Sequence, residues 1–174
     1  MDLPEDDAGR KLELCDGRVI HVSQPGDQHG EIAGNIYDVV KPFVREHALG
    51  IVRFDTGFVL RRNPDRVVNP DVAFMAAAQL KPLRDRTKAN DGAPTLAVEV
   101  VSPNDRDQDV GAKVLEYLAA GSARVWVVRP ESRTVTVYRA DGSANIRHEQ
   151  DVLTSNDAGF CADGFQLPVA DVFA

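Results

Sequence analysis

The chain has only two cysteines, Cys15 and Cys161, in 174 residues. A cysteine-built metal site needs more of them at short spacing. Two reduced thiols are expected, with a single disulfide left open. No apolar run approaches the length of a membrane span. The acidic opening Met1-Asp2-Leu3-Pro4-Glu5-Asp6-Asp7 is the opposite of a secretory leader's basic start, so a cytoplasmic protein is expected. The four histidines show no short ligand spacing, which disfavours a zinc hydrolase. A glycine-rich phosphate loop, a Gly-x-Ser-x-Gly elbow, internal repeats and low-complexity tracts are also missing.

What remains is an ordinary globular composition, 43% apolar and 27% charged. The length favours one domain with its own core. Residues 1–10 read as a disordered arm and 11–174 as a single domain. The formal net charge of -7 argues against non-specific coating of nucleic acid. It is compatible with a site built from carboxylates and served by a local basic patch. Candidates for that patch flank Asp71: Arg61, Arg62 and Arg66 on one side, and Lys81, Arg84, Arg86 and Lys88 on the other. The alternative for all of them is solvated loop charge.

Periodicity gives the order of elements. Lys11 to Val22 alternates around Asp16-Gly17 and predicts a hairpin. Ile32, Ile36, Val39, Val40, Phe43 and Val44 predict a helix from Gln28 to Ala48, kinked or shortened at Pro42 and ended by Gly50. Ile51 to Leu60 reads as one strand, and Val67 to Met75 as another, interrupted at Pro70. The polar stretch from Ala76 to Pro94 reads as a functional loop. Thr95 to Val101 is a central buried strand, Gln108 to Ala120 a helix, and Arg124 to Val128 and Thr134 to Tyr138 further strands. Phe160, Phe165, Leu167, Val172 and Phe173 are expected to dock the C-terminal portion. The fold class is α/β, a mixed β-sheet flanked by helices, with an N-terminal β-hairpin.

Glu99 is the residue that breaks the pattern. It lies inside Thr95-Leu96-Ala97-Val98-Glu99-Val100-Val101, where an unpartnered carboxylate is costly, so a cation must meet it. Alternation puts Leu96, Val98 and Val100 on one face and Ala97, Glu99 and Val101 on the other. Pro70-Asp71 sets a second carboxylate at the head of Val72-Ala73-Phe74-Met75. Two strand carboxylates suit magnesium, which takes one or two of them, keeps several waters and accepts backbone oxygen such as the Val100 carbonyl. Lys113 lies at the edge of the apolar stripe Val110, Val114, Tyr117 and Leu118, where it can bury its stem and present its ammonium to such a site. Together these are the parts of a metal-dependent phosphodiesterase. Each has a plainer reading. Asp71 can open a turn, Glu99 can pair with Arg124, and Lys113 can form surface pairs with Asp109 and Glu116. His29 can approach the site or cap the helix, with Glu31 as an alternative from the same turn.

At these residues the sequence resembles the Uma-type restriction endonucleases, a branch of the PD-(D/E)XK nuclease superfamily. The marks are Glu13-Leu14-Cys15-Asp16-Gly17, His29, Asn69-Pro70-Asp71-Val72-Ala73-Phe74 and Val98-Glu99-Val100-Val101-Ser102-Pro103. They continue with Asp109, Lys113, Tyr117, Gly121 and Val125-Trp126-Val127-Val128. The resemblance implies a restriction-endonuclease-like core, Mg2+ with Mn2+ as substitute, DNA as substrate and a homodimer. It also implies Asp71 and Glu99 as metal-binding acids. The superfamily's usual lysine, two residues after the second acid, is Val101 here. Related branches supply it from the following helix, and Lys113 is the match.

Overall fold

The computed structural model describes residues 12–21, 26–80 and 88–174. The expected N-terminal arm and the candidates Lys81, Arg84 and Arg86 lie outside them. The hairpin pairs β1 (Leu12–Cys15) with β2 (Arg18–His21). Its turn residues, Asp16 and Gly17, both have positive φ (49° and 76°), the conformation that matches the twist of a two-residue hairpin. Helix α1 (Asp27–Glu46) follows, then β3 (Gly50–Phe54), β4 (Phe58–Arg61), β5 (Arg66–Val68) and β6 (Val72–Ala76). After a short 3-10 turn come β7 (Asn90–Asp91), β8 (Leu96–Val100), α2 (Asp107–Ala119), β9 (Arg124–Arg129), β10 (Thr134–Arg139) and β11 (Ala144–Arg147). The chain ends with β12 (Val152–Thr154), α3 (Ser155–Ala158), β13 (Gln166–Pro168) and α4 (Val169–Val172).

A six-stranded sheet in the order β11-β10-β9-β8-β6-β3 forms the centre. It is mixed: β8 and β9 run parallel, joined through α2, and the other pairs are antiparallel. A five-stranded sheet, β2-β1-β5-β4-β7, stands beside it and carries the hairpin. The alternation expected in β8 divides the core. Leu96, Val98 and Val100, with Val72, Phe74, Trp126 and Val128, pack against Ile32, Ile36, Val40 and Val44 of α1. Ala97, with Ala73, Met75, Val125 and Val127, packs against Val114 and Tyr117 of α2. Phe160, Phe165, Leu167 and Val172 are buried on the α1 side, and Phe173 packs there partly buried.

Three sequence expectations change. Ile51 to Leu60 is two strands in different sheets, because the chain turns at Asp55 (φ 43°) and crosses from β3 to β4. Helix α1 continues past Pro42 and ends at Glu46, two residues short of the expected Ala48. Proline there removes one helical hydrogen bond near the helix end, while the buried Val40 and Val44 hold the last turns against the core. Gly50 does not cap the helix; Ala48 (φ 52°) takes the left-handed position instead. Gly50 is glycine because β3 passes so close to β6 that a Cβ would collide with the Met75 carbonyl oxygen and lie 2.9 Å from the Ala77 nitrogen. That approach sets the strand that leads back to Asp71. Gly50→Ala is therefore expected to destabilise the protein by about 2 kcal/mol or more, lowering Tm by about 4–8 °C in a thermal melt.

Candidate active site

Two strands bring the two acids together. Val72 lies opposite Val98 and Ala73 opposite Ala97, so one further step along the register sets Asp71 beside Glu99. The Asp71 N–H continues the ladder to the Val98 carbonyl (3.0 Å). The Asp71 carboxylate then takes over where the ladder stops, accepting the Val100 N–H on Oδ2 at 2.8 Å. Its Oδ1 lies 3.0 Å from Nε2 of His29, whose Nδ1 is 3.2 Å from the Ser102 hydroxyl. His29 thus stands in the site and does not cap α1, whose N-cap is Gly26.

Glu99 is gripped from α2. Lys113 and Tyr117, four residues apart on one helix side, reach its two oxygens: Lys113 Nζ at 2.9 Å from Oε2, and the Tyr117 hydroxyl donating to Oε1 at 2.6 Å. The same ammonium lies 2.7 Å from Oε1 of Glu13, which comes from the hairpin. Glu13 also pairs with Arg66 (3.1 Å), and Arg66 with Glu116 on α2 (2.6 Å). All these groups except Tyr117 line one cleft of about 390 Å³, together with Val100, Val101 and Ser102.

The electrostatics follow from burial and neighbours. Burial pushes the Glu99 carboxyl above its ordinary range; Lys113 opposes this, and the nearby Asp71 and Glu13 carboxylates add to it. Burial alone would lower the Lys113 pKa, but Glu99 and Glu13 outweigh it, so the ammonium is held above its usual value. Arg66 is raised in the same way, its burial overcome by Glu116 and Glu13. Tyr117 is pushed well up by burial and by Glu99, and stays a neutral donor.

The sequence matches the Uma2 family, described as "Putative restriction endonuclease", over residues 1–170. The chain belongs to the Uma2 family. Among solved structures it is similar to a protein from Anabaena variabilis ATCC 29413, described as "a putative nuclease belonging to DUF820". That chain is 22% identical, with a TM-score of 0.80, over 98% of this chain and 93% of the other. At that identity the likeness shows the fold. No curated protein matches the chain.

The sequence leads to the expectation of a divalent cation, and the donor set of the cleft is one that such an ion would suit. Among the described residues, the four carboxylates Glu13, Asp71, Glu99 and Glu116 stand with the permanent cations Lys113 and Arg66, a formal excess of two negative charges within this set. Carboxylate oxygens carry two lone pairs each, so one oxygen can serve a protein donor and a hard cation together. No group of three or more His, Cys, Asp or Glu side chains suited to a metal occurs among the described residues. Two carboxylates and a backbone oxygen would suit a hard cation that keeps several waters.

The remaining candidates separate. Glu31 is exposed and does not line the cleft. Arg61 pairs with Asp16 and Arg62 with Asp91 at 2.6 Å, both on the surface away from the cleft lining. Lys88 is exposed. Arg66, grouped by sequence with the basic patch, is instead buried between two glutamates. Arg124 bonds Asn156 rather than Glu99, Glu116 turns to Arg66, and Asp109 lies 3.6 Å from Arg106. Sequence reasoning missed Glu13, Glu116 and Ser102 as site residues. Glu13 carried the same signal as Glu99, an acid between apolar strand residues, but in an edge hairpin that pattern also describes a solvent-facing position.

Replacing Lys113 by methionine keeps the stem and removes the charge that Glu13 and Glu99 share. A loss of about 2–4 kcal/mol is expected in urea denaturation. Its pH dependence has a definite sign. Without the ammonium the Glu99 pKa rises further in the folded state. A carboxyl with a raised folded pKa contributes stability at acid pH and loses it as pH climbs through that value. The deficit should therefore be larger at about pH 8 than at about pH 5.

Proposed function

We propose that this chain is a Mg2+-dependent endonuclease that hydrolyses DNA phosphodiester bonds, with Mn2+ able to substitute. The observation that carries the reading is the placement of Asp71 and Glu99 side by side on adjacent strands, in a cleft whose lining sets six carboxylates against three permanent cations. Asp71, Glu99 and the Val100 carbonyl would hold the ion. When bound, it would supply charge to the phosphoryl oxygens and acidity to water.

The chain's own groups do the rest. Lys113 stays protonated, so it serves as a donor that orients water or steadies charge on the phosphoryl group, and not as a base. An ammonium has three N–H groups; Glu13 and Glu99 take two and leave one for that purpose. Tyr117 and Lys113 fix the plane of the Glu99 carboxylate, and His29 with the Val100 N–H fixes that of Asp71. A homodimer would set two such clefts against the two strands of a duplex. The family description supports DNA as the substrate.

A second reading, an inactive nuclease-fold binding or assembly module, is favoured by Val101 at the usual lysine position and by the acidic net charge. It predicts no cleavage with any divalent ion and no heat on Mg2+ or Mn2+ titration.

Asp71→Ala or Glu99→Gln is expected to lower Mg2+-dependent cleavage of plasmid DNA by about 10³-fold or more while circular dichroism stays that of the wild type. Equal cleavage in EDTA and in Mg2+ would rule the proposal out. Because the ion competes with a proton for Glu99, calorimetry should show proton release on binding, and affinity that falls as pH drops through the raised Glu99 pKa.

A further inference from the structure

The mechanism above uses Glu13 only as a neighbour, yet it is the most enclosed charge in the site. Its side chain is 2% exposed, and it comes from the hairpin sheet, not from the sheet that bears Asp71 and Glu99. Its two oxygens face two different cations, Lys113 at 2.7 Å and Arg66 at 3.1 Å. Arg66 is tethered in turn to Glu116 and to the carbonyls of Leu14 and Val67. Glu13 is thus held from behind and offers a fixed anion to the lysine.

The consequence lies in what happens to Lys113 when Glu99 engages a cation. With Glu99 as its only anion, the ammonium would form a closed pair with that carboxylate and would lose its anchor as the carboxylate turned to the ion. With Glu13 present, the ammonium keeps one charge-assisted bond throughout. We propose that Glu13 is a positioning residue for the hydrolytic reaction: it anchors the Lys113 ammonium from the hairpin side, so that the lysine holds its place while Glu99 serves the metal. This inference rests on the nuclease reading of the cleft. It makes the hairpin part of the catalytic apparatus, although none of its residues need touch the substrate.

A group that acts through Lys113 leaves a signature that a merely structural glutamate does not. Glu13→Gln keeps length and an acceptor but gives up the charge. It is expected to lower kcat about 10–100-fold, with KM for DNA unchanged and unchanged binding of uncleaved DNA in Ca2+. Glu13→Asp, which keeps the charge, should recover part of the rate. In a Lys113→Ala background, Glu13→Gln should cost nothing further in kcat, because the group it positions is gone. A second readout needs no activity: the Lys113 ammonium should give a sharp 15N–1H NMR signal in the wild type that broadens by solvent exchange in Glu13→Gln. Wild-type kcat in Glu13→Gln, an equal loss in both backgrounds, or an unchanged ammonium signal would each overturn the proposal. If the wild type cleaves nothing, the nuclease reading fails by itself, and the NMR comparison still decides whether Glu13 anchors the lysine. If Glu13→Gln does not fold, Glu13→Asp with and without Lys113→Ala carries the same cycle.

Discussion

Everything around the cleft depends on one constraint: carboxylates taken out of water must be met by charge. Glu13 and Glu99 reach the same ammonium, that of Lys113 on α2, from two different sheets. The hairpin sheet, the central sheet and the helix therefore meet at a charge as well as at an apolar seam, in which Phe58 and Val68 pack with Ala97, Val114 and Tyr117. Ion pairs of this kind are poor stabilisers; well-packed apolar side chains of the same volume often do as well or better. The arrangement makes physical sense as the setting of a site, in which charges are kept fixed, partly dry and close to one another.

Strand β8 shows how such a setting is carried by an otherwise ordinary core. One face delivers Leu96, Val98 and Val100 to α1 without interruption. The other delivers Ala97 to the α2 layer and then, at the last position of that face within the strand, Glu99. Asp71 sits at the equivalent boundary on β6, just after Pro70, which has no N–H to give to a ladder. There the side chain does what a strand backbone would have done, accepting the Val100 N–H. Both acids stand where regular pairing stops, so the sheet positions them rigidly while one side remains open to the cleft.

Much of this was legible in the residues, and the reasons for the gaps are specific. The apolar run around Glu99 identified a buried strand and an unusual carboxylate because burial and charge conflict within a few residues. The same logic applied to Glu13, but an edge hairpin has a wet face, and the conflict vanishes on paper. Arg66 reads as loop charge beside Arg61 and Arg62; only the pairing of β5 with β1 turns it inward. The break between β3 and β4 depends on a positive φ at Asp55, which an apolar run does not announce. Gly50 was read for its flexibility, whereas its role is the absence of a side chain against Met75.

The ammonium beside Glu99 comes from a helix and not from position 101, which is valine. Val101 is half-buried: it packs against the cluster that holds Val114 and Tyr117, and it also lines the cleft. The helix offers another route: Lys113 and Tyr117, one turn apart, descend onto Glu99 from above and take one oxygen each. The charge comes from the covering layer rather than from the strand itself. Its position then depends on how α2 docks, and on the hairpin-sheet side that docking rests on Glu13, on the Arg66–Glu116 pair and on the apolar contact of Phe58 and Val68 with the layer of Val114 and Tyr117. In this chain the geometry of the reacting groups is therefore a property of the interface between two sheets and a helix, not of one strand's sequence.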